Sequence, residues 1–256
     1  MSVAFKVVIP ARYGASRLPG KPLLDIGGQP LIARVLERAR ASAAAEIVIA
    51  TDDQRIADVC SGLGADVAMT GNGHHSGSDR VAEVIAQRGW DADTIVVNLQ
   101  GDEPCMPPAL IDQVAADLAA RDGVGMATLA YPIADAEQLF DPHVVKVVTD
   151  AEGFALYFSR APIPWHRDGF RGKRAQLPHG VTFLRHIGLY AYRADFLARY
   201  VGWRAAPLEL VESLEQLRVL WHGERIHVSV AGEEPGPGVD TADDVKLVLQ
   251  RLAGEA

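Results

Sequence analysis

Three cations lie close together in the loop that follows the first apolar run of the chain. Arg12, Arg17 and Lys21 belong to the segment ARYGASRLPGKPL, whose small residues let the backbone approach a ligand closely. Clustered cations and backbone N–H groups suit the oxygens of a polyphosphate. The spacing matches neither GxxxxGK[ST] nor GxGxxG. The segment is therefore a candidate phosphate clamp, with a solvated basic loop as the alternative.

Two aspartates are candidates for a metal site. Asp102 follows an apolar strand-like run in LQGDEP, and Asp240 lies in GVDTADD just before the last helical pattern. Mg²⁺ commonly takes one or two carboxylates while phosphates and waters complete its octahedron. Each aspartate, taken alone, is also explained as a turn residue or a helix cap. His74 and His75 are adjacent and diverge in direction, which argues against a joint metal site.

The N-terminal part of the chain alternates strand-like and helical patterns. Strands are predicted at 6–9, 46–50, 66–69 and 94–99, and helices at 31–44, 54–63 and 78–87. This βαβα order, with continuously apolar strands at 7–9 and 95–97, is typical of a parallel sheet covered on both faces. Ligands of such sheets bind beyond the carboxyl ends of the strands. The segments that follow strands directly are the basic loop, Thr51-Asp52-Asp53 and Gln100-Gly101-Asp102.

After Asp102 the pattern predicts a mixed sheet. Ser78 is interpreted as the cap of the helix at 78–87, and Thr241 with Asp244 as a capping-box-like start of the last helix. The segment 167–179, rich in Gly, Pro and charge, is the best candidate for a mobile loop. The fold class is therefore α/β: a Rossmann-like, mostly parallel central sheet flanked by helices, with a mixed-sheet elaboration in the second half. Further helices are predicted at 109–120, 208–221 and 241–252, and strands near 125–131, 144–149 and 182–192.

Composition excludes several functions. A net charge of -8 argues against a nucleic-acid-binding surface. Cys60 and Cys105 are the only cysteines and lack CxxC spacing, and no charged-plus-apolar signal segment precedes the first strand. No apolar run approaches the ~20 residues that a membrane helix needs. We expect one compact cytoplasmic domain with no nucleic-acid or membrane partner.

The exact sequence of the basic loop resembles that of a known protein family. ARYGASRLPGKPL resembles the signature loop of the sugar-activating nucleotidylyltransferases, in the form found in the family of cytidylyltransferases that make CMP-linked acid sugars. The resemblance covers nearly the whole chain. Departures are mild: Ser16 and Ser78 stand where that family often has Thr, His75 where it often has Gln, and 170–178 matches poorly. Similar segments are HHSGSDRVAEV, VNLQGDEP, ALYFSRAPIPW, FLRHIGLYAYR, LEQLRVLW and PGPGVDTADD.

The resemblance implies a fold of the nucleotide-diphospho-sugar transferase type and a reaction. CMP would pass from CTP to 3-deoxy-D-manno-octulosonate, an eight-carbon acid sugar, with release of pyrophosphate, for lipopolysaccharide biosynthesis. Mg²⁺ and a homodimer are also implied. Residues 1–104 and 222–256 would form the nucleotide and metal part, and 105–221 the sugar-binding and dimerisation part.

Three alternatives stay open. One is a cytidylyltransferase for another acid sugar, such as an 8-amino-octulosonate or a sialic acid. A glycosyltransferase of similar architecture would use a nucleotide-sugar donor and release no pyrophosphate. A catalytically silent nucleotide-binding subunit would bind CTP without turnover.

The resemblance also implies roles for individual residues. His186 and Tyr190 lie four apart on a strand and would face the same side; core positions for both, and a surface helix position for Glu215, are the alternatives. The implied catalytic residues are Arg12, Lys21 and Asp102; the nucleotide ligands are Ala11, Arg12, Arg17, Lys21, Ser76, Gly77, Arg80 and Gln100; the metal ligands are Asp102 and Asp240; and the sugar ligands are Arg160 for the carboxylate, with His186, Tyr190, Glu215 and Gln216.

Overall fold

Parallel strands and flanking helices form the N-terminal half of the molecule. The computed structural model describes residues 3–14, 18–171 and 176–254. The first strands lie in the order β3-β2-β1-β4 and all pair in parallel, as predicted. The elements are β1 (Phe5–Ala11), α1 (Leu31–Arg40), β2 (Glu46–Thr51), α2 (Gln54–Gly62), β3 (Asp66–Met69), α3 (Gly77–Arg88) and β4 (Ile95–Asn98).

The second half continues the same sheet with mixed pairing. β8 is antiparallel to β4 and β5, β9 is parallel to β5, and β6 pairs with β7 and β8. The mixed-sheet elaboration is therefore confirmed. The elements are α4 (Pro108–Ala119), β5 (Met126–Pro132), α5 (Ala136–Phe140), β6 (Lys146–Thr149), β7 (Ala155–Ser159), β8 (Leu184–Arg193), α6 (Ala194–Tyr200), α7 (Pro207–Glu212), α8 (Leu217–Trp221), β9 (Ile226–Val230) and α9 (Ala242–Gly254).

The core consists of two apolar layers, one on each face of the sheet. Val7 and Ile9 of β1 point into the layer formed with α1, α2 and α4, whereas Val8 points into the layer formed with α3, α6 and α8. All three side chains are fully buried. This alternation explains why the strand is continuously apolar, because successive residues face opposite layers and both layers exclude water. Among the described residues, no helix is long and apolar enough to span a membrane.

The single helix predicted at 208–221 is wrong. The structure has α7 and α8 instead, with Ser213 in the left-handed region at φ 52° between them. Arg160 explains the break, because its Nε donates to the Glu212 carbonyl at 2.6 Å and its Nη2 to the Ser213 carbonyl at 3.4 Å. These bonds satisfy carbonyls that a continuing helix would have used. The turn places Glu215 and Gln216 outside either helix.

The segment 167–179 has no helix or strand among its described residues. Phe170 nevertheless anchors its first part, since its ring is buried and packs edge-on against Phe140 and Trp165. Residues 172–175 lie outside the described part of the chain.

Candidate active site

A cleft of about 220 Å³ lies at the carboxyl edge of the parallel strands. It is bounded by the segments that follow β1 and β4 and by those that precede α3 and α9. This is the position that chain order predicts, because ligands of parallel sheets bind beyond the strand ends. Arg17 lies outside the described residues. The predicted site residues that line the cleft are Ala11, Arg12, Lys21, Ser76, Gly77, Arg80, Gln100, Asp102 and Asp240.

Lys21 is the point at which the basic loop meets the two aspartates. Its Nζ donates to Asp102 Oδ2 and to the Val239 carbonyl, each at 2.7 Å, and to Asp240 Oδ1 at 3.3 Å. The chain turns into this position at Gly20, whose φ of 73° lies in the left-handed region that glycine adopts readily. The ammonium therefore links the loop after β1 with the segments on which both acids lie.

Local hydrogen bonds hold the two aspartates beside each other. The backbone N–H of Val239 donates to the Asp102 carbonyl at 2.8 Å. Asp244 Oδ2 accepts from the N–H groups of Asp240 and Thr241, and its own N–H donates back to Thr241 Oγ1. The capping-box start predicted for the last helix is thus confirmed. It fixes the backbone at Asp240, so the carboxylate is presented from a rigid helix start.

The two carboxylates suit a hard divalent cation. Both approach the Lys21 Nζ, so their oxygens lie close together. In the part of the chain that the structure describes, no group of three or more His, Cys, Asp or Glu is arranged to hold a metal ion. Two carboxylates alone leave coordination positions for phosphates and water, as Mg²⁺ prefers. Burial, and then the charges of Asp102 and Asp240, raise the pKa of the neighbouring Glu103 carboxyl to about 8, so this carboxyl is neutral at pH 7 and the negative charge of the site comes from the two aspartates.

The N-terminus of α3 forms the opposite wall of the cleft. Ser76 Oγ accepts from the Asp79 N–H at 3.1 Å, and the Asp79 carboxylate accepts from the Ser76 N–H at 3.0 Å. The cap is therefore Ser76, and the interpretation of Ser78 as the cap is wrong. Ser78 lies inside the helix, where its Oγ donates to Glu215 Oε1 at 2.5 Å. Because the cap lies two residues earlier than predicted, Ser76 and Gly77 at the start of the helix both line the cleft.

Gly77, Gln100 and Arg80 continue this wall. A Cβ at Gly77 would lie 3.3 Å from both Gln100 Oε1 and Pro10 Cγ, so the absence of a side chain allows the close approach of α3 to β1. Arg80 lies one turn further along α3 and is only 3% exposed. Its Nη2 donates to Asp52 Oδ2 at 2.9 Å. The wall thus combines the close-packed start of α3 with a guanidinium held by Asp52.

A polar cluster lies on the antiparallel part of the sheet. The rings of His186 and Tyr190 lie 5.3 Å apart, so they share a face as predicted. β8 has a bulge between them, because Tyr190 pairs with Thr128 whereas Ile187 pairs with the next residue of β5, Leu129. The bulge adds two residues to β8, an even number, so side chains on either side of it keep their alternation between the two faces of the sheet. His186 Nε2 lies 3.0 Å from Thr128 Oγ1. Burial lowers the pKa of His186 to about 3, so the imidazole is neutral at physiological pH.

Glu215 and Gln216 approach this cluster from the turn between α7 and α8. Ser78 donates its one proton to Glu215, so the Tyr192 hydroxyl, 3.3 Å away, donates to Ser78. Glu215 is half-buried and Gln216 is buried, which rules out the alternative of an exposed helix charge for Glu215. The cluster is connected to the cleft through Ser78, which belongs to the first turn of α3.

Arg160 lies outside the cleft. Besides the carbonyls of Glu212 and Ser213, it donates from Nη1 to the Pro142 carbonyl at 2.9 Å. Its backbone N–H also donates to Glu212 Oε2 at 2.9 Å. All three guanidinium nitrogens therefore bind backbone oxygens, and its predicted contact with the sugar carboxylate stays a prediction.

Two polar residues near the site were not predicted from the sequence. Glu103 adjoins Asp102 in GDEP, and the doubled acid was the available signal. Asn98 ends β4 at 1% exposure, and its side-chain amide lies beside the Tyr192 hydroxyl. A polar residue that closes the apolar run IVVN was the signal there.

A cleft at the strand ends, with a basic loop on one side and paired carboxylates on the other, is the arrangement expected of a nucleotidyltransferase. A family model described as cytidylyltransferase matches residues 6–226. The chain belongs to the cytidylyltransferase family.

Relatives and solved structures agree with this assignment. Proteins named 3-deoxy-manno-octulosonate cytidylyltransferase are similar over nearly their whole length: that of Pseudomonas fluorescens is 60% identical over 252 residues, 98% of this chain and 99% of the relative. That of Tolumonas auensis is 58% identical over 250 residues, 98% of this chain and 97% of the relative.

A structure of CMP:2-keto-3-deoxy-manno-octonic acid synthetase complexed with CTP has a TM-score of 0.90 at 41% identity, covering 99% of this chain and 100% of that one. A structure of 4-diphosphocytidyl-2C-methyl-D-erythritol synthase, at 15% identity and a TM-score of 0.63, covers 97% and 98% of the two chains and shares the fold alone.

Proposed function

We propose that this enzyme transfers CMP from CTP to 3-deoxy-D-manno-octulosonate, giving the CMP-linked sugar and pyrophosphate and so activating the sugar for lipopolysaccharide biosynthesis. The relatives that carry this name match nearly the whole chain, and the related structure binds CTP. The observation that carries the proposal is Lys21, which joins the basic loop to Asp102 and Asp240 in one cleft.

The leaving group explains the basic loop. Attack by the sugar hydroxyl on the α-phosphorus breaks the bond to the bridging oxygen, and negative charge develops on the departing pyrophosphate. Arg12 and Lys21 line the cleft and would hold the β- and γ-phosphates, so this charge meets cations that are already in place. Arg17, three residues before Gly20, would assist from the same loop.

Asp102 and Asp240 would hold Mg²⁺, which supplies neutralisation of the phosphate oxygens when bound. Their carboxylates orient from two segments that are hydrogen-bonded to each other, so the ligand pair is preorganised. Lys21 keeps its contact with Asp102, the closer of its two acids, when phosphate oxygens compete for the ammonium.

The cytosine base and the acid-sugar acceptor would bind on opposite sides of the phosphate and metal site. Cytidine would lie against the backbone of Ala11 and Arg12 and against Ser76, Gly77, Arg80 and Gln100. The acid sugar would use Arg160 for its carboxylate and His186, Tyr190, Glu215 and Gln216 for its hydroxyls. Neutral His186 can both donate and accept, which suits a hydroxyl ligand better than an imidazolium would.

The enzyme would act as a cytoplasmic homodimer. Exposed apolar side chains on β7 and α7 support a dimer contact: Leu156 is 62% exposed, Leu210 69% and Val211 84%. These two elements are tied together, because Ser159 Oγ donates to Glu212 Oε1 at 2.7 Å. An apolar surface of this kind is typical of a protein interface.

The substrate assignment is tested by identifying the product. The purified enzyme, CTP and Mg²⁺ are incubated with 3-deoxy-manno-octulosonate, its 8-amino analogue or a sialic acid, and the products are identified by mass spectrometry. We expect the CMP-octulosonate to form at the highest kcat/KM. Faster conversion of either other sugar would keep the reaction class and overturn the acceptor.

A further inference from the structure

The Thr51-Asp52-Asp53 turn at the end of β2 has no part in the proposed mechanism. Two of its residues make local hydrogen bonds: Thr51 Oγ1 accepts from the Asp53 N–H at 3.2 Å, and Asp53 caps α2 by accepting from the Arg55 N–H at 3.0 Å. Asp52 takes part in neither of these bonds. Its carboxylate is directed across the sheet edge to Arg80 on α3, where the distance is 2.9 Å.

Arg80 is desolvated and firmly held. Its side chain is 4% exposed and that of Asp52 is 19% exposed. Nη1 donates to Thr70 Oγ1 and, at 3.4 Å, to the Gly71 carbonyl, both on the segment after β3. Within the described part of the chain, Asp52 is the one carboxylate paired with this guanidinium. A buried charge of this kind depends on its counter-ion for its position.

The guanidinium keeps donors for a ligand. Its three hydrogen bonds engage three of the five N–H groups that an arginine carries. Arg80 lines the cleft, whereas Asp52 is not among its lining residues. An arginine donates only, so it suits the cytosine edge, where O2 and N3 both accept. Uracil carries a hydrogen on N3 and would set a donor against a donor.

We propose that Asp52 is a positioning residue for base selection: its carboxylate fixes the Arg80 guanidinium in the orientation that accepts cytosine and rejects uracil. The inference rests on the proposed function, in which Arg80 borders the cytidine. Asp52 acts through Arg80 and touches no substrate. Replacing Asp52 with Asn keeps the shape of the side chain and one hydrogen bond to Arg80. It removes the negative charge that holds the guanidinium in place.

The test compares Asp52→Asn with Asp66→Asn, a matched control. Asp66 also pairs with an arginine of α3, Arg88, at 2.6 Å, but at an exposed position away from the cleft. For Asp52→Asn we expect the KM for CTP to rise about tenfold and the CTP-over-UTP preference in kcat/KM to fall about tenfold, because a charge-assisted hydrogen bond becomes a neutral one. The sugar KM should stay within about twofold. Asp66→Asn should match the wild type.

A second variant distinguishes base selection by Asp52 from a purely structural role. Asp52→Glu keeps the charge and should recover part of the preference; it also carries the comparison if Asp52→Asn does not fold. If the CTP-over-UTP ratio in kcat/KM is unchanged in both Asp52 variants, the inference is overturned. This holds even if the KM values for CTP and for the sugar both rise and the melting temperature falls, because those changes indicate a purely structural role.

Calorimetric titration of CTP and UTP into the wild type and the variants keeps the test independent of turnover. A wild type that binds CTP over UTP but does not convert the octulosonate refutes the proposed reaction alone. A wild type that binds both nucleotides equally refutes the positioning role of Asp52.

Discussion

The ammonium of Lys21 lies between two carboxylates that differ in how firmly they hold it. Asp102 is at 2.7 Å with a side chain 35% exposed, whereas Asp240 is at 3.3 Å and 60% exposed. The contact with Asp240 is the longer and the more strongly screened by water. A triphosphate would therefore displace Asp240 from the ammonium first. The lysine remains tethered to Asp102, ready to meet the phosphates.

At the residue scale, Asp102→Asn tests the metal assignment. The amide keeps the shape but removes a negative charge from the cation site, so kcat should fall by about 10² to 10³, the range seen when one electrostatic stabiliser of a transition state is lost. Binding of CTP should partly survive, because Arg12 and Lys21 remain. Steady-state kinetics and calorimetric titration of CTP measure the two effects. Asp122→Asn, at an exposed turn, serves as the control, and turnover of Asp102→Asn at the control's rate would remove Asp102 from the metal site.

His186 gives a prediction about pH. Its pKa is lowered from 6.5 to about 3 by burial, so the unfolded chain binds a proton below pH 6.5 while the folded chain stays neutral. Stability therefore falls as the pH drops from 6.5 towards 3, and His186 has no such effect above that range. In His186→Gln, the slope of the unfolding free energy against pH should be smaller by up to about one proton in this window. Urea unfolding at a series of pH values measures it. Exposed His143→Gln is the control; equal slopes in all three proteins would refute the prediction.

At the element scale, the turn between α7 and α8 shows where tertiary contacts override a helical pattern. A run from Leu208 to Trp221 has helical spacing, yet Arg160 binds the carbonyls at the end of α7 and the chain reverses at Ser213. The turn brings Glu215 against Ser78 on the first turn of α3. A straight helix would not place that carboxylate between the cleft and the polar cluster of β8.

Substitutions at Ser213 distinguish a turn from a continuous helix. Because φ is 52°, Ser213→Gly should raise the free energy of unfolding by about 0.5 to 1 kcal/mol, and Ser213→Val should lower it by about 1 to 2 kcal/mol. In a continuous helix the order would reverse, since Gly is a poorer helix former than Val. Chemical denaturation of both variants measures the signs. A Gly variant less stable than the Val variant would contradict the turn.

Sequence patterns predict these elements unevenly, for physical reasons. The strands β1 and β4 were predictable because each contains a local apolar run, and the cleft followed from the rule for parallel strand ends. The break at Ser213 was not, because it depends on Arg160, more than fifty residues earlier in the chain. The Ser76 cap was misplaced by two residues, since both Ser76 and Ser78 are acceptable caps by composition. Arg160 shows the same limit: its type suits a carboxylate, but its three carbonyl partners belong to distant segments.

At the scale of the whole molecule, the proposed dimer depends on the apolar surface of β7 and α7. Val211→Glu would place a charge at the most exposed of its three apolar side chains, so the variant should be a monomer at concentrations where the wild type is a dimer. Light scattering after size-exclusion chromatography gives the masses. Met69→Glu alters an exposed apolar residue of β3, outside this surface, and should stay dimeric. Equal masses for wild type and Val211→Glu would remove this surface as the contact.

The molecule divides its tasks between the two parts of one sheet. The parallel part supplies the cleft, the basic loop and Asp102, and the antiparallel part supplies His186 and Tyr190; α3 contacts both, through Arg80 and Ser78. In the proposed reaction, this arrangement releases pyrophosphate from CTP only when the acid sugar is present.

The first experiment is therefore an assay of pyrophosphate release by the purified enzyme with 3-deoxy-manno-octulosonate and CTP, UTP, ATP or GTP, with Mg²⁺ or with EDTA. We expect release with CTP and the sugar together, none without the sugar, and loss of activity in EDTA. Release of equal size in EDTA would contradict the metal role of Asp102 and Asp240. Absence of pyrophosphate release with CTP and every acid sugar would contradict the reaction itself.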